Sequence, residues 1–230
     1  MPIVFIIWFT TLAVLAKEYD RLKIPKSLQE AIPVGYKVVE KIVGDLNKDK
    51  QHDIVLLLKG LDKSKIITNR FSEVVDRNRR GVLIAFKDHD AYKVVTVNPR
   101  CFSSENEDGG IYFPPDLFIH IAKGNLYFDY GHGRYGYWSY TFRYEDNDFK
   151  LIGYDAARGG AVIRETLSVN FLTNKMLTKK NINLQAQGGD EVFKEEWKSF
   201  SKPITLFLSE IADMDEIDIE QAINEQISYE

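Results

Sequence analysis

The chain has 230 residues, of which 44% are hydrophobic and 28% are charged, and its formal net charge is -4. This composition is typical of a globular protein with one sizeable core, and the single cysteine, Cys101, excludes an internal disulfide. The charge is not positive enough for a nucleic-acid-binding protein, so we expect no nucleic-acid partner.

The N-terminal segment, residues 2–16, has no charged side chain and reads PIVFIIWFTTLAVLA. It is shorter than the roughly 20 residues of a membrane-spanning helix, and it is typical of the apolar region of a secretory signal. The small residues Val14 and Ala16 stand where cleavage signals place them. We therefore expect a signal peptide over residues 1–16, no stable membrane span after its cleavage, and a secreted or periplasmic protein. The alternative is a buried apolar element of the fold.

A short helix is predicted from Lys26, because Ser27 and Glu30 have the spacing of a capping box. Runs rich in β-branched and aromatic residues then predict short strands. Gly, Asn and Asp in three connections, residues 88–90, 123–125 and 146–148, favour tight hairpins. The strands are predicted at 36–43, 53–58, 82–86, 92–97, 117–121, 126–130, 138–144, 149–154 and 166–172.

The C-terminal segment, residues 190–230, differs in charge, with 12 acidic and 3 basic side chains. The spacing of Phe193, Trp197 and Phe200 predicts one helical face, and a second helix is predicted after Asp218, which could cap it. An apolar stripe of Ile219, Ala222, Ile223 and Ile227 favours packing of this second helix on the sheet.

These elements predict a mainly β protein. Its antiparallel meander would form a sandwich or a partly propeller-like curved sheet, with short N-terminal and C-terminal helices. We expect one β domain over residues 17–189, with residues 190–230 packed on it as an acidic helical segment.

An acidic loop between the first two predicted strands reads GDLNKDKQHD over residues 44–53. Oxygen-bearing side chains recur at alternate positions, and Ca²⁺ prefers six to eight oxygen ligands. The alternative is a polar hairpin in which Asp and Asn accept hydrogen bonds from backbone N–H groups. The predicted calcium ligands are Asp45, Asn47, Asp49, Gln51 through its backbone carbonyl, and Asp53.

The stretch GDLNKDKQHDIV resembles the calcium loop of FG-GAP repeats, the integrin-propeller and VCBS-like type. It is less similar to an EF-hand loop, since Lys50 stands at the glycine position and Leu56 at the closing glutamate position. The resemblance covers residues 38–58 in a single copy. It implies calcium between two antiparallel strands of an extracellular protein, with Asp53 as the acid that opens the second strand.

An aromatic and glycine-rich segment, residues 127–138, reads YFDYGHGRYGYW. Exposed aromatic rings offer flat faces to sugars or peptides, and glycines allow a ligand to approach the backbone. The alternative is a wide hairpin whose aromatic side chains complete the core. The candidate ligand-binding residues are Tyr130, His132, Arg134, Tyr135, Tyr137 and Trp138.

No catalytic or dinucleotide-binding motif occurs in the sequence, and its four histidines form no metal-binding pair. The sequence therefore predicts an exported calcium-binding protein whose partner is an extracytoplasmic protein or a glycan. A periplasmic inhibitor or immunity-type protein is the first alternative. A carbohydrate-directed hydrolase, using two carboxylates beside an aromatic platform, is the second.

Overall fold

The structure, a computed structural model, describes residues 23–107 and 114–225. The predicted signal peptide lies outside these residues. Two α-helices, α1 (Lys26–Gln29) and α2 (Ile219–Asn224), flank thirteen strands in the described part of the chain. The strands are β1 (Tyr36–Gly44), β2 (Asp53–Gly60), β3 (Ile66–Thr68), β4 (Val74–Asp76), β5 (Arg80–Asp88), β6 (Ala91–Phe102), β7 (Asp116–Ala122), β8 (Asn125–Gly131), β9 (Gly136–Glu145), β10 (Asp148–Gly159), β11 (Ile163–Asn170), β12 (Lys175–Asn181) and β13 (Phe193–Ser199).

The strands form two large antiparallel sheets and a two-stranded ribbon of β3 and β4. The order in the smaller sheet is β1-β2-β5-β6, and β7 to β13 form a seven-stranded meander in which sequence neighbours pair. The predicted tight turns are present: His89, Lys123 and Asp146 all adopt positive φ angles, between 52° and 54°. Asp146 is of a residue type that adopts this left-handed conformation more readily than most, and Gly124, next to Lys123, also has a positive φ angle.

The core lies between the two sheets, in a sandwich-like arrangement. Val55 and Ile84 of the four-stranded sheet belong to the same buried cluster as Phe128, Phe142 and Leu151 of the seven-stranded sheet. The prediction of a mainly antiparallel β fold is confirmed.

The opposite face of the four-stranded sheet is also covered. Leu28 of α1 is fully buried with Leu56, Leu58 and Leu83 in a second cluster. Strand β2 is therefore buried at all eight positions, which explains its uninterrupted apolar run. The predicted capping box of α1 is wrong, because Pro25 holds the N-cap position and no side chain caps the helix.

The C-terminal segment differs in part from the prediction. The helix expected over Phe193, Trp197 and Phe200 is wrong, since residues 193–199 form the edge strand β13. Pairing with β12 decides this, and an ion pair of 2.6 Å joins Lys179 to Glu195 across the two strands. The predicted helix after Asp218 is confirmed as α2, and Asp218 accepts a hydrogen bond from the backbone N–H of Gln221 at 2.8 Å.

The C-terminal segment packs onto the sandwich through its apolar side chains. Leu208, Met214, Ile219 and Ile223 are all buried in the main cluster. None of the helices within residues 23–107 and 114–225 is long and apolar enough to cross a membrane.

Candidate functional site

The acidic loop connects β1 to β2 and begins and ends at the paired residues Gly44 and Asp53. Within it, Lys48 and Lys50 adopt left-handed conformations, with φ angles of 64° and 68°. Lys50 occupies the position at which the EF-hand-type spacing expects glycine, and it makes the required turn in spite of its side chain.

Side-chain oxygens in the loop are held by hydrogen bonds with its own backbone. Asp45 accepts the backbone N–H groups of Lys48 at 2.6 Å and of Lys50 at 2.9 Å. Asn47 accepts the backbone N–H of Asp49 at 3.0 Å and donates its amide to the Asp49 carboxylate at 3.0 Å. The oxygens at positions 45, 47 and 49 therefore share one short, hydrogen-bonded turn.

Two further predicted ligands have different surroundings. Gln51 donates its backbone N–H to Asp49 at 2.7 Å and is exposed. Asp53 is fully buried and accepts the backbone N–H groups of Leu46 at 2.7 Å and of Lys87 at 2.9 Å. It therefore joins the loop to strand β5.

Burial raises the pKa of Asp53 above its usual value of 3.8, although hydrogen bonds from the backbone oppose this shift. The nearby Asp49 carboxylate raises the pKa further. A positive charge at the loop would favour the ionised form of Asp53.

The donor chemistry of the loop fits Ca²⁺. The exposed carboxylate of Asp49, the half-buried carboxylate of Asp45, one amide oxygen and the Gln51 carbonyl are hard oxygen donors. A carboxylate that accepts two N–H groups retains free lone pairs. The geometry of the loop fits a metal site less well than its chemistry does. The described residues contain no group of three or more His, Cys, Asp or Glu side chains placed to hold a metal ion. The hydrogen bonds also match the polar hairpin that is the alternative to calcium.

The loop contacts the β7–β8 hairpin at two close approaches. A Cβ atom added at Gly44 would lie 2.7 Å from the Ile121 side chain. A Cβ atom added at Gly124 would lie 2.5 Å from the Lys48 side chain. The loop therefore packs directly against this hairpin.

The six aromatic-segment residues do not share one surface. Tyr130 is only 3% exposed, and its ring stacks on Trp138 with centroids 5.1 Å apart, so both complete the core. Tyr137 points outward and is 52% exposed. His132 and Tyr135 have ring centroids 5.1 Å apart at the turn between β8 and β9, and Arg134 lies in the same turn.

The outer face of the seven-stranded sheet presents side chains that the sequence analysis did not single out. Nδ1 of His120 lies 2.8 Å from an oxygen of the Asp129 carboxylate, and the Ser139 hydroxyl donates to the same carboxylate. The His120 ring stacks on Tyr127 at 4.5 Å. Phe118 is paired with Asp129 in the register and is 60% exposed. Outward positions of β7 to β9 alternate with buried ones, and this period of two is the signal that could have identified the face.

This polar group does not form a nucleophile for catalysis. Ser139 and His120 both contact the Asp129 carboxylate, whereas nucleophile activation requires hydrogen bonding between the serine and the histidine. Cys101 is fully buried, and burial raises the pKa of its thiol to about 12, so it is not a nucleophile either.

In comparisons with known proteins, no family model, curated protein or solved structure matches the chain.

Proposed function

We propose that this protein is a calcium-binding β-sandwich that acts outside the cytoplasm and binds a glycan on the outer face of its seven-stranded sheet. The observation that carries the proposal is that the Asp45, Asn47 and Asp49 oxygens share one short, hydrogen-bonded loop. Support for export comes from the apolar segment 2–16 of the sequence.

Asp45, Asn47 and Asp49 would hold calcium through side-chain oxygens, and Gln51 through its backbone carbonyl. Asp53 would close the site at its base. When bound, the ion would supply positive charge beside three carboxylates that otherwise repel one another. The FG-GAP resemblance supports this assignment, since the loop joins two antiparallel strands and Asp53 opens the second.

Calcium binding would also order the proposed glycan surface. The loop packs on the β7–β8 hairpin through Lys48 and Ile121, and that hairpin carries Phe118, His120 and Tyr127. A rigid hairpin presents these side chains at lower entropic cost than a mobile one.

Thermal unfolding of the full chain in calcium and in chelator tests the metal site. Binding to the folded state alone raises the melting temperature, so the protein should be more stable in calcium. Asp49→Ala should abolish this difference. Asp90→Ala is the matched control, because Asp90 is an exposed carboxylate in another hairpin turn, and it should keep the difference. A melting temperature that is equal in calcium and chelator would refute the metal site.

The glycan surface is supported by its exposed aromatic rings. Tyr137 is paired with Gly131 on one neighbouring strand and with Ala157 on the other, and these small residues leave its ring accessible. Asp129 and Ser139, the neighbouring cross-strand pair, supply polar atoms that can bind the hydroxyl groups of a sugar. Such a combination of apolar faces and a few polar groups is typical of sugar recognition.

Glycan-array binding followed by affinity measurement tests the surface. Tyr137→Ala should weaken binding about tenfold or more, because burying an aromatic side chain contributes about 1.5–3 kcal/mol. Phe71→Ala is the control, since Phe71 is 65% exposed but lies outside the seven-stranded sheet. Equal losses in the two variants, or no bound glycan, would refute the proposal.

A protein partner, as in an inhibitor or immunity-type protein, is the second candidate. The observation that favours it is β13, an edge strand whose seven residues are all exposed, including Trp197. An exposed edge can pair with a strand of another protein. A stoichiometric partner that co-purifies with the wild type and is lost in Trp197→Ala would favour this function over glycan binding.

A further inference from the structure

A small cavity of about 110 Å³ is lined by residues of β5 and β8 and of the loops that contain Ser103 and Asp215. Its wall includes Arg80 of β5, Tyr130 of β8, the Glu107 and Asp215 carboxylates, and Ser103. We propose that this cavity binds a primary ammonium group, a function distinct from calcium and glycan binding.

The first evidence is the Tyr130 hydroxyl, which is buried and has no hydrogen-bond partner within the described structure. Its neighbour Tyr140, with ring centroids 6.4 Å away, donates its hydroxyl to the Met214 carbonyl at 3.2 Å. The fold therefore satisfies one of two adjacent buried tyrosines and leaves the other facing the cavity. Buried hydroxyl groups are almost always hydrogen-bonded, so the Tyr130 hydroxyl is available to a ligand in the cavity.

The second evidence is the pair of carboxylates. Oε1 of Glu107 accepts the Ser104 hydroxyl at 2.8 Å, and Oδ2 of Asp215 accepts the Ser103 hydroxyl. In the described contacts the second oxygen of each carboxylate is left without a donor. Both side chains therefore keep an acceptor for a ligand.

The cavity has an excess of negative charge. Arg80 is the one cationic side chain among the described residues that line it, and the guanidinium already donates to the Ser103 carbonyl at 3.0 Å and pairs with Glu105 at 3.5 Å. Among the described residues, no Lys or Arg forms an ion pair with Glu107 or Asp215. Arg79 is paired with Asp213 at 2.6 Å and acts on Asp215 only at longer range. A cation is thus favoured over an anion.

A primary ammonium group matches this wall in both charge and hydrogen bonding. It has three N–H donors, and the cavity offers two carboxylate oxygens and the phenol oxygen of Tyr130. Burial and the charge of Asp215 raise the pKa of Tyr130 well above 10, so its oxygen stays a neutral acceptor. The volume would hold roughly three waters or one molecule as small as methylamine.

Calorimetric titration of the full chain with methylammonium and tetramethylammonium tests the proposal. The two ions have equal charge, but tetramethylammonium has no N–H donor. We expect methylammonium to bind and tetramethylammonium not to bind. Tyr130→Phe should weaken methylammonium binding about tenfold, because a hydrogen bond to a charged group is lost.

Tyr140→Phe is the matched control, since it removes a hydroxyl that already has a partner in the protein. Its affinity for methylammonium should equal that of the wild type, and Asp215→Asn gives a second variant that removes charge from the cavity and should weaken binding. No heat of methylammonium binding in the wild type would overturn the proposal and identify the cavity contents as water. Equal affinity of the wild type and Tyr130→Phe would also overturn it.

Discussion

Replacing Asp53 with alanine separates the structural part of the acidic loop from its proposed metal-binding part. Asp53 is fully buried, and its carboxylate accepts the backbone N–H groups of Leu46 and Lys87. Alanine removes both acceptors at once and leaves two buried donors without partners.

The expected loss of stability follows from these two hydrogen bonds. A hydrogen bond to a charged group contributes about 1.5–3 kcal/mol, so loss of two should lower the free energy of unfolding of Asp53→Ala by about 3–6 kcal/mol. For a chain of this size the melting temperature should fall by roughly 6–24 °C, at about 2–4 °C per kcal/mol. Asp49 is exposed, and Asp49→Ala in chelator should cost less than about 1 kcal/mol.

Urea denaturation of the wild type, Asp53→Ala and Asp49→Ala, each in chelator, measures both values. Chelator removes any contribution from bound calcium, so the difference between the two variants reports hydrogen bonding alone. Equal destabilisation by the two variants would refute the assignment of Asp53 as the buried connection between the loop and β5.

Lys59→Ala should lower the free energy of unfolding by about 3 kcal/mol, and chemical denaturation measures this loss. The reason is that Asp76 and Glu105 both pair with the nearly buried Lys59 cation and would lose it. In the wild type, burial opposes ionisation of Asp76, but hydrogen bonds from its neighbours outweigh it and lower its pKa below 3.8. The stability from this group should therefore be present above pH 3.8 and be lost as the pH falls through the folded-state pKa, and Asp76→Asn should flatten that part of the pH profile. Gly81→Ala should destabilise more than a typical surface substitution, since its Cβ would lie 2.2 Å from the Asn98 carbonyl oxygen, and loss of the folded circular dichroism signal checks this.

Local patterns in the sequence were sufficient to predict most of the strands and the tight turns. Residues 53–58 form a buried strand and 123–125 a hairpin turn because their composition agrees with the fold around them. Strand β13 could not be predicted in this way. Phe193 and Trp197 are spaced as on a helix, and pairing with β12 determines their conformation.

The candidate sites show the same difference between local patterns, which the sequence predicts, and contacts between distant strands, which it does not. Alternate positions in the loop predict Asp45 and Asn47 as ligands, but the hydrogen bond that Asp53 accepts comes from Lys87, which is 34 residues away on a neighbouring strand. The contact of His120 with Asp129 depends on the register of two strands, which sequence spacing does not determine.

Calorimetric titration of the decalcified full chain with Ca²⁺ shows whether residues 45–53 hold a metal ion. We expect one bound ion per chain in the wild type and in Asp90→Ala, and none in Asp49→Ala. Absence of binding in the wild type, or unchanged binding in Asp49→Ala, would contradict the calcium site and identify residues 45–53 as a polar hairpin stabilised by its own hydrogen bonds.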